Sequence, residues 1–229
     1  MEDLEKYILE FKPAENRPPL TDQSKLNKYL IESLSIMVHD KSGGTKKFIM
    51  APDLKKTYSQ IFRYLNNDYS LTNEKDHVSI QPWDLNKGII FIGNFGRGKT
   101  LLLDLIFKQR QKLKILGRYC TAYELSVMFN SDKKRFEDLT NAESCLFLDE
   151  IGDEPKETLN FGNSENVAYR AMKLFFDKVE KQKDKQRFFG TSNLGQAEII
   201  ERYDERIWSR IVGNCNIVVF GSGIKDFRK

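Results

Sequence analysis

The sequence predicts a three-layer α/β/α fold in which helices cover both faces of a five-stranded parallel sheet, preceded by a small helical module. Three observations lead to this prediction. Short apolar runs alternate with stretches of helical periodicity over most of the chain. The runs have no polar alternation, which is typical of parallel strands that are buried on both faces. A glycine-rich loop joins the first run to the helix that follows it.

The first apolar run leads into the loop GNFGRGKT, and the apolar segment LLLDLIF follows it. The loop fits the pattern G-x-x-x-x-G-K-[ST], with Gly93, Gly98, Lys99 and Thr100 at the fixed positions. In such a loop, backbone N–H groups at a helix N-terminus surround phosphate oxygens. Lys99 would reach the β and γ phosphates and Thr100 would bind Mg²⁺. The simpler alternative is a turn that binds nothing. The residues predicted to bind the nucleotide here are Gly93, Asn94, Phe95, Gly96, Arg97, Gly98, Lys99, Thr100 and Leu101.

The remaining elements alternate as βαβ units require. We predict strands at residues 89–92, 119–122, 145–149, 187–191 and 216–220. Helices are predicted at residues 99–112, 122–130 and 166–181, with a shorter pair within 196–210.

Residues 1–75 have helical periodicity and no strand pattern. The simplest interpretation of their apolar stripes is the core of a helical module, and contact with a partner is the alternative. The polar residues 70–76 indicate a boundary, which divides the chain into an N-terminal module (1–75) and an α/β domain (76–229). The three predicted helices carry Leu4, Tyr7, Ile8 and Phe11; Leu26, Tyr29, Leu30, Leu34, Met37 and Val38; and Leu54, Tyr58, Ile61, Phe62, Leu65 and Tyr69.

The composition limits the class of protein. The 229 residues are 40% hydrophobic and 31% charged, enough for one substantial core. No apolar run is long enough to span a membrane, and the acidic N-terminus is unlike a signal peptide, so we expect a cytoplasmic protein without membrane contact. Cys120, Cys145 and Cys215 lie far apart in apolar contexts that predict buried strand positions, which argues against a zinc site or a disulfide framework. The formal charge of +4 does not by itself indicate a nucleic-acid partner.

A second group of polar residues follows the apolar run CLFL. Asp149 stands where the strand ends, the edge at which ligands collect in parallel sheets, and could hold Mg²⁺ together with Thr100. Glu150 leaves the strand on the other side and could polarise a water for attack on the γ phosphate. Strands often end in acidic turn residues, so this pair gains meaning from the loop about fifty residues before it.

Two further segments contain candidate residues. Asn193 follows the run FFGTS, and its amide could hydrogen-bond the γ phosphate or the attacking water. A loop asparagine in a turn is the alternative. Arg206 and Arg210 share one helix face, and one of them could reach the nucleotide of a neighbouring subunit. An ordinary surface ion-pair helix would have the same pattern.

Five segments, taken in their order along the chain, resemble the AAA+ ATPases of the DnaC-type helicase-loader group and the related IstB-type transposition ATPases. They are GNFGRGKT, CLFLDEIGDEP, FFGTSNL, ERYDERIWSRI and NIVVFGSGIKDFR. The resemblance covers residues 78–228. It implies an ATPase with ATP and Mg²⁺ as cofactors and without a C-terminal lid domain.

The resemblance also implies residue roles. Lys99 lies in the Walker A loop, while Asp149 and Glu150 match Walker B, for metal and catalytic water respectively. Asn193 matches sensor 1, and Arg210 matches the arginine finger supplied to an adjacent subunit, with Arg206 in support. Arg228 stands where similar proteins have the sensor 2 arginine that contacts the nucleotide.

The partners that the resemblance implies are a replicative helicase, gripped by residues 1–75, single-stranded DNA, and further copies of the chain in an ATP-bound oligomer. The candidate DNA contacts are KQRQKLK and SDKKRFED, the second of which places basic groups beside the aromatic residues Phe129 and Phe136. Solvated lysines and core phenylalanines would have the same pattern. A transposase partner, as for IstB-type ATPases, is the alternative to the helicase. A nucleotide-dependent adaptor or a small-molecule kinase is the third possibility, but the acceptor pocket and arginine-rich lid of a kinase are not evident.

Overall fold

A computed structural model describes residues 23–50, 52–112, 115, 117–140, 145–160, 163–181 and 187–221. The first predicted helical stripe, at residues 4–11, and Arg228 lie outside these ranges.

The described chain contains eight α-helices and seven strands. The helices are α1 (Gln23–Lys41), α2 (Lys55–Leu65), α3 (Lys99–Lys112), α4 (Ala122–Ser131), α5 (Lys133–Thr140), α6 (Val167–Lys181), α7 (Gln196–Arg202) and α8 (Glu205–Asn214). Two 3₁₀ helices, Pro52–Leu54 and Tyr69–Asn73, flank α2. The strands are β1 (Gly88–Gly93), β2 (Gly117–Thr121), β3 (Cys145–Ile151), β4 (Thr158–Asn160), β5 (Asn163–Glu165), β6 (Phe188–Ser192) and β7 (Cys215–Phe220).

Five strands form one parallel sheet in the order β2-β3-β6-β1-β7, which confirms the predicted fold class. β1 is paired with β6 on one side and β7 on the other, so the strand that leads into the glycine-rich loop is interior to the sheet. The carboxyl ends of β1, β3 and β6 therefore meet at one edge, as parallel strands require. β4 and β5 form a separate antiparallel hairpin.

The centre of the sheet is buried on both faces, which explains the apolar runs of β1 and β3, whereas the edge strand β2 is less buried and contains the exposed Arg118. Ile89 and Phe91 of β1 point into one hydrophobic cluster, which also contains α1, α2 and α3 side chains. Ile90 and Ile92 point into the opposite cluster, with side chains of α4 to α8. The three cysteines are buried, as predicted, and burial raises the pKa of Cys120 to about 12, so this thiol stays protonated at neutral pH.

The described N-terminal helices share a hydrophobic cluster with the sheet. Leu30 and Leu34 of α1 and Ile61 of α2 are buried in the same cluster as Phe91 and Phe147. The buried residues of the two described stripes are therefore core residues, which favours the simpler of the two interpretations, although the core to which they belong is shared with the sheet. Tyr69 is the exception, since it is 60% exposed at the start of the 3₁₀ helix. The division of the chain at residue 75 stays a prediction.

The segment predicted as a boundary is held against α2. Leu71 is buried, and Arg63 of α2 forms ion pairs with Asp68 and Glu74. The amide of Gln60 donates to Glu74 Oε1 and to the Asp76 carbonyl, at 2.8 Å each. Residues 68–76 thus continue the packed structure from α2 toward β1.

Two elements had no prediction from the sequence. The segment KKRFEDLT forms the helix α5, and the hairpin β4–β5 precedes α6 in the sequence. Phe129 and Phe136 pack edge to face at 5.3 Å and are buried, with the Arg170 guanidinium over both rings. They are core residues, so the prediction that they lie beside a DNA site as stacking partners is wrong. Among the described helices, none combines the length and apolarity needed to cross a membrane.

Candidate functional site

The glycine-rich loop has the backbone conformation that its glycines permit. Gly93, Gly96 and Gly98 have φ values of 140°, 74° and 81°, which side-chain-bearing residues rarely adopt. At Gly93 a Cβ atom would also lie 2.4 Å from the carbonyl oxygen of Phe220 in β7. The loop can therefore turn sharply at the end of β1 and deliver Lys99 and Thr100 to the first turn of α3.

The Lys99 ammonium lies inside this loop. It is 6% exposed and donates to the carbonyl oxygens of Gly93 and Asn94 at 2.6 and 2.8 Å. It also donates to Asn193 Oδ1 at 2.8 Å. The structure thus brings together Lys99 and Asn193, which are 94 residues apart in the sequence, and places a cation and an amide at one point of the loop.

The Asp149 carboxylate is held by three hydroxyl groups. Thr100 Oγ1 donates to Oδ1 at 3.2 Å, Thr191 Oγ1 donates to the same oxygen, and the Tyr119 hydroxyl donates to Oδ2 at 3.1 Å. Burial, reinforced by the Asp149 and Asp104 carboxylates, raises the pKa of Tyr119, so its phenol remains a donor. Asp149 is consequently fixed beside Thr100, as the motif predicted.

Glu150 lies at an irregularity in the sheet. The pairing of β3 with β6 shifts between Leu148 and Ile151, and Glu150 itself has a φ of 56°. Its backbone N–H donates to Thr191 Oγ1 at 2.9 Å, which fixes this left-handed conformation. The bulge breaks the simple alternation of side chains along β3 and sets the direction in which Glu150 leaves the strand.

The loop after Glu150 is anchored by a buried charge. The Glu154 side chain is completely buried and accepts from Gly152 N at 2.9 Å, Arg202 Nε at 3.1 Å and the Tyr203 hydroxyl at 2.6 Å. Arg202 also donates to the Glu154 carbonyl oxygen. The pKa of Tyr203 is raised, first by burial and second by the neighbouring Glu154 carboxylate. This network joins the end of β3 to α7.

A cleft of about 640 Å³ lies beside the loop. Most of the predicted site residues line it: Phe95, Gly96, Arg97, Gly98, Lys99, Thr100, Leu101, Glu150 and Asn193. Thr191 and five residues from the end of α1 and its following turn, Val38, Lys41, Ser42, Thr45 and Lys46, complete the lining. Asp149 is not part of this lining and lies behind Thr100, to which it is hydrogen-bonded. A glycine-rich loop, the Glu150 carboxylate, an amide and a buried ammonium around one cleft can bind a phosphate ester and activate a water against it.

Arg210 is outside this cleft. Its guanidinium donates to Asp177 Oδ1 at 2.5 Å and lies 3.4 Å from Glu180 Oε1, both on α6. Arg210 therefore forms ion pairs with α6. Within the described residues it makes no contact with Lys99. Arg206 is exposed on α8. A position outside the cleft of its own subunit is expected for an arginine that acts on a neighbouring subunit. It is equally expected for an arginine whose role is a structural ion pair.

Sequence reasoning missed three parts of the site. Thr191 lies two residues before Asn193, so the run FFGTSN contained its signal. Tyr119 is brought to Asp149 by the parallel pairing of β2 with β3, which no local motif indicates. The residues of α1 and its following turn that line the cleft belong to no sequence motif, so no local signal indicated them.

The donor atoms beside the loop fit a hard divalent cation. Thr100 Oγ1 and the Asp149 carboxylate are both oxygen ligands, the type that Mg²⁺ prefers. No group of three or more histidine, cysteine, aspartate and glutamate side chains suitable for a metal occurs in the described parts of the chain. A cation at Thr100 and Asp149 would thus depend on phosphate oxygens and water for its other ligands, as Mg²⁺ commonly does.

Comparison with known protein families gives a match over residues 89–216, from β1 into β7, to the ATPase family associated with various cellular activities (AAA). The chain belongs to the AAA family. The match contains the glycine-rich loop, Asp149, Glu150, Asn193 and Arg210, so this AAA protein is an ATPase and the resemblance in its motifs is confirmed. No curated protein sequence matches the chain.

Solved structures share the fold of this AAA ATPase at low sequence identity. The DnaC helicase loader has a TM-score of 0.51 at 17% identity, over 76% of this chain and 93% of that one. A primosome component from Streptococcus pyogenes serotype M3 has a TM-score of 0.51 at 16% identity, over 78% and 85%. DnaI has a TM-score of 0.50 at 18% identity, over 80% and 88%. At these identities the likeness concerns the fold.

Proposed function

We propose that this AAA ATPase is a loader of a replicative helicase, which assembles with ATP into a homo-oligomer on single-stranded DNA and holds the helicase through residues 1–75. The observation that carries the proposal is the arrangement of the cleft, in which Lys99, Glu150 and Asn193 meet while Arg210 lies elsewhere. The fold of the DnaC helicase loader supports the choice of partner.

In this proposal the glycine-rich loop binds the triphosphate. The Lys99 ammonium, now donating to the Gly93 and Asn94 carbonyls, transfers its hydrogen bonds to the β and γ phosphates. Asn193 is already bonded to Lys99, so its amide is placed to respond to the presence of the γ phosphate. The two side chains act as a pair because Lys99 binds the negatively charged phosphates and Asn193 responds to the presence of the γ phosphate.

Hydrolysis is assigned to Glu150. Its carboxylate lines the cleft and would orient the attacking water and accept its proton. Thr100 and Asp149 would hold Mg²⁺, which would neutralise part of the negative charge of the phosphates. The hydroxyls of Thr191 and Tyr119 keep the Asp149 carboxylate in position beside Thr100.

Arg210 is proposed to complete the site of an adjacent subunit. Replacing it with alanine should reduce turnover by about 10³-fold or more, because an arginine finger stabilises the charge of the transition state. Lys99→Ala should be inactive for a different reason, loss of triphosphate binding. An equal mixture of the two variants should recover activity, since about one interface in four then combines an intact Lys99 with an intact Arg210. Steady-state ATPase rates of the variants and the mixture measure this.

The control for mixing is each variant mixed with a second preparation of itself, which should stay inactive. If the Lys99→Ala and Arg210→Ala mixture forms oligomers of normal size and remains inactive, Arg210 does not act across a subunit interface. Its ion pairs with Asp177 and Glu180 would then be its function.

The partner-binding part of the proposal concerns residues 1–75. Within α1, Leu30 and Leu34 are committed to the core, whereas Ile36 is 60% exposed, and Ile49 beyond the turn is 76% exposed. In the described part of this segment, exposed apolar side chains available to a partner lie on the outer side of α1, around Ile49 and at Tyr69.

A pull-down decides between the two partner classes. The full chain and a variant without residues 1–22 would be tested against replicative helicases and against insertion-sequence transposases, with ATP present. Capture of a helicase by the full chain supports the proposal, and the point variants Ile36→Asp and Ile49→Asp then locate the contact. Capture of a transposase and of no helicase would contradict it and indicate the IstB-type function.

Single-stranded DNA would be held by exposed basic groups. Lys108 of α3 and Lys134 and Arg135 of α5 are exposed, whereas the Arg110 guanidinium lies over the buried Phe189 ring. Because Phe129 and Phe136 are in the core, contact in this region would be through phosphates and would weaken steeply as salt is added.

A further inference from the structure

The end of α1 and the turn after it share the cleft with the glycine-rich loop. We call residues 38–46 the α1 turn. Lys41 and Lys46 are its two cleft-lining lysines, and they face the same space as Glu150 and Asn193, the two residues assigned to the γ phosphate. The cleft is thus lined by segments that are distant in sequence, with the α1 turn on one side and the glycine-rich loop, Glu150, Thr191 and Asn193 on the other.

The α1 turn is an ordered structure. Gly43 and Gly44 adopt φ values of 59° and 82°, and Gly44 N donates to the His39 carbonyl at 2.8 Å, which closes α1. Thr45 Oγ1 donates to the Ser42 carbonyl at 2.7 Å, and Lys46 N donates to Ser42 Oγ at 2.9 Å. The backbone of Lys46 is therefore fixed relative to the end of the helix.

The turn is also tied to the helix that follows the glycine-rich loop. Lys41 Nζ forms an ion pair with Asp104 of α3, one turn beyond Thr100. Met37, just before the turn, is buried in the hydrophobic cluster that contains Leu102 and Leu103 of α3. A movement of α1 would consequently move one wall of the cleft relative to the loop.

Lys41 and Lys46 differ in whether a carboxylate of the protein neutralises the ammonium group. The ammonium of Lys41 is neutralised by Asp104. For Lys46, no carboxylate of the described residues lies within ion-pair distance, so its charge in the cleft has no protein counterion there. An anion in the cleft would meet this cation without displacing an existing partner.

We propose that the α1 turn is part of the nucleotide site, with Lys46 binding the γ-phosphate end of a nucleoside triphosphate from within the same subunit. The inference rests on the proposed ATP site and adds a means of regulation to it. Because α1 belongs to the segment assigned to the helicase, contact between Lys46 and the triphosphate links nucleotide binding to partner binding. By reciprocity, a partner that moves α1 changes the affinity for ATP by the same factor that ATP changes the affinity for the partner.

The test compares two adjacent lysines. Lys46 lines the cleft, whereas Lys47 is exposed and does not line it. In the full chain, Lys46→Ala should weaken binding of a non-hydrolysable ATP analogue by about 10-fold and of ADP much less, as expected for one charge-assisted hydrogen bond. Lys47→Ala should bind both nucleotides like the unaltered chain, and Lys46→Arg should retain most of the affinity for the analogue. Isothermal titration of the unaltered chain and of each variant with each nucleotide gives these affinities.

Each other outcome is equally decisive. Unchanged affinity in Lys46→Ala, or equal weakening in Lys46→Ala and Lys47→Ala, would overturn the inference and leave the proposed function intact. Absence of ATP binding by the unaltered chain would overturn the ATP site itself. Both lysines are exposed, so the variants should unfold at the same temperature as the unaltered chain, and circular dichroism melts verify this.

Discussion

Glu150→Gln should bind ATP with nearly unchanged affinity and hydrolyse it about 10² to 10⁴ times more slowly. The amide has the size of the carboxylate but cannot accept the proton of the attacking water. The contacts that fix the backbone at this position, from Glu150 N to Thr191 Oγ1 and to Asp149 Oδ1, do not involve the replaced group. Titration with ATP and single-turnover hydrolysis separate binding from chemistry.

Asp153→Asn is the matched control for this variant. Asp153 is an exposed carboxylate three residues later in the same loop, and it does not line the cleft. It should hydrolyse ATP at the unaltered rate. Normal turnover by Glu150→Gln would show that another group activates the water, and the assignment of Glu150 would be abandoned.

Arg202→Met should lower the free energy of unfolding by roughly 3–5 kcal/mol, because it leaves a buried carboxylate without its counterion. The Glu154 side chain is fully buried and that of Arg202 is only 12% exposed. The Tyr203 hydroxyl and Gly152 N would remain as hydrogen-bond donors to Glu154, but neither carries a charge. Equilibrium unfolding in urea, monitored by circular dichroism, gives the difference.

Two comparisons identify the cause of that loss. Glu201→Ala changes the exposed neighbour of Arg202 in α7 and should have an effect below about 0.5 kcal/mol. The double variant Glu154→Met/Arg202→Met removes both charges and should be more stable than Arg202→Met, since no uncompensated charge is left. If the double variant is the less stable of the two, packing around Arg202 rather than the buried charge accounts for the effect.

The sheet was predictable because its signals are local. Most strands of the sheet contain a short apolar run, and each major helix of the α/β domain follows one of these runs with its own periodicity. Predicted and observed ends differ by no more than two residues at β1, β2, β3, β6 and β7. The start of α4 is an example of a local cause, since Thr121 Oγ1 accepts from Glu124 N and the Glu124 carboxylate accepts from Thr121 N.

Elements with weak local signals were not predicted. The helix α5 has only Phe136 and Leu139 as apolar residues, and charged or polar side chains occupy the other positions. Its stability comes from burial of those two side chains against α4 and α6, which is a tertiary effect. The polar segment 70–76 indicated a boundary for the same reason, because its one buried residue, Leu71, gives no periodicity.

For the site, sequence reasoning identified the groups but not all of their neighbours. Lys99, Thr100 and Glu150 lie in contiguous motifs, and Asn193 ends a strand that must finish at the same edge of the sheet. The hydroxyls of Tyr119 and Thr191 that hold Asp149 depend on which strands pair and in what register.

The sequence by itself determined the membership of the AAA ATPases, the order along the chain of the five sheet strands and the major helices, and the residues of the phosphate-binding loop, because short motifs and periodicity depend on covalent neighbours. Only the tertiary structure decided that α1 and its turn line the same cleft, that Glu150 lies on a bulge, and that Arg210 is held by α6 away from Lys99. These features depend on how separate elements pack, and packing brings together residues whose sequence separation contains no signal of their contact.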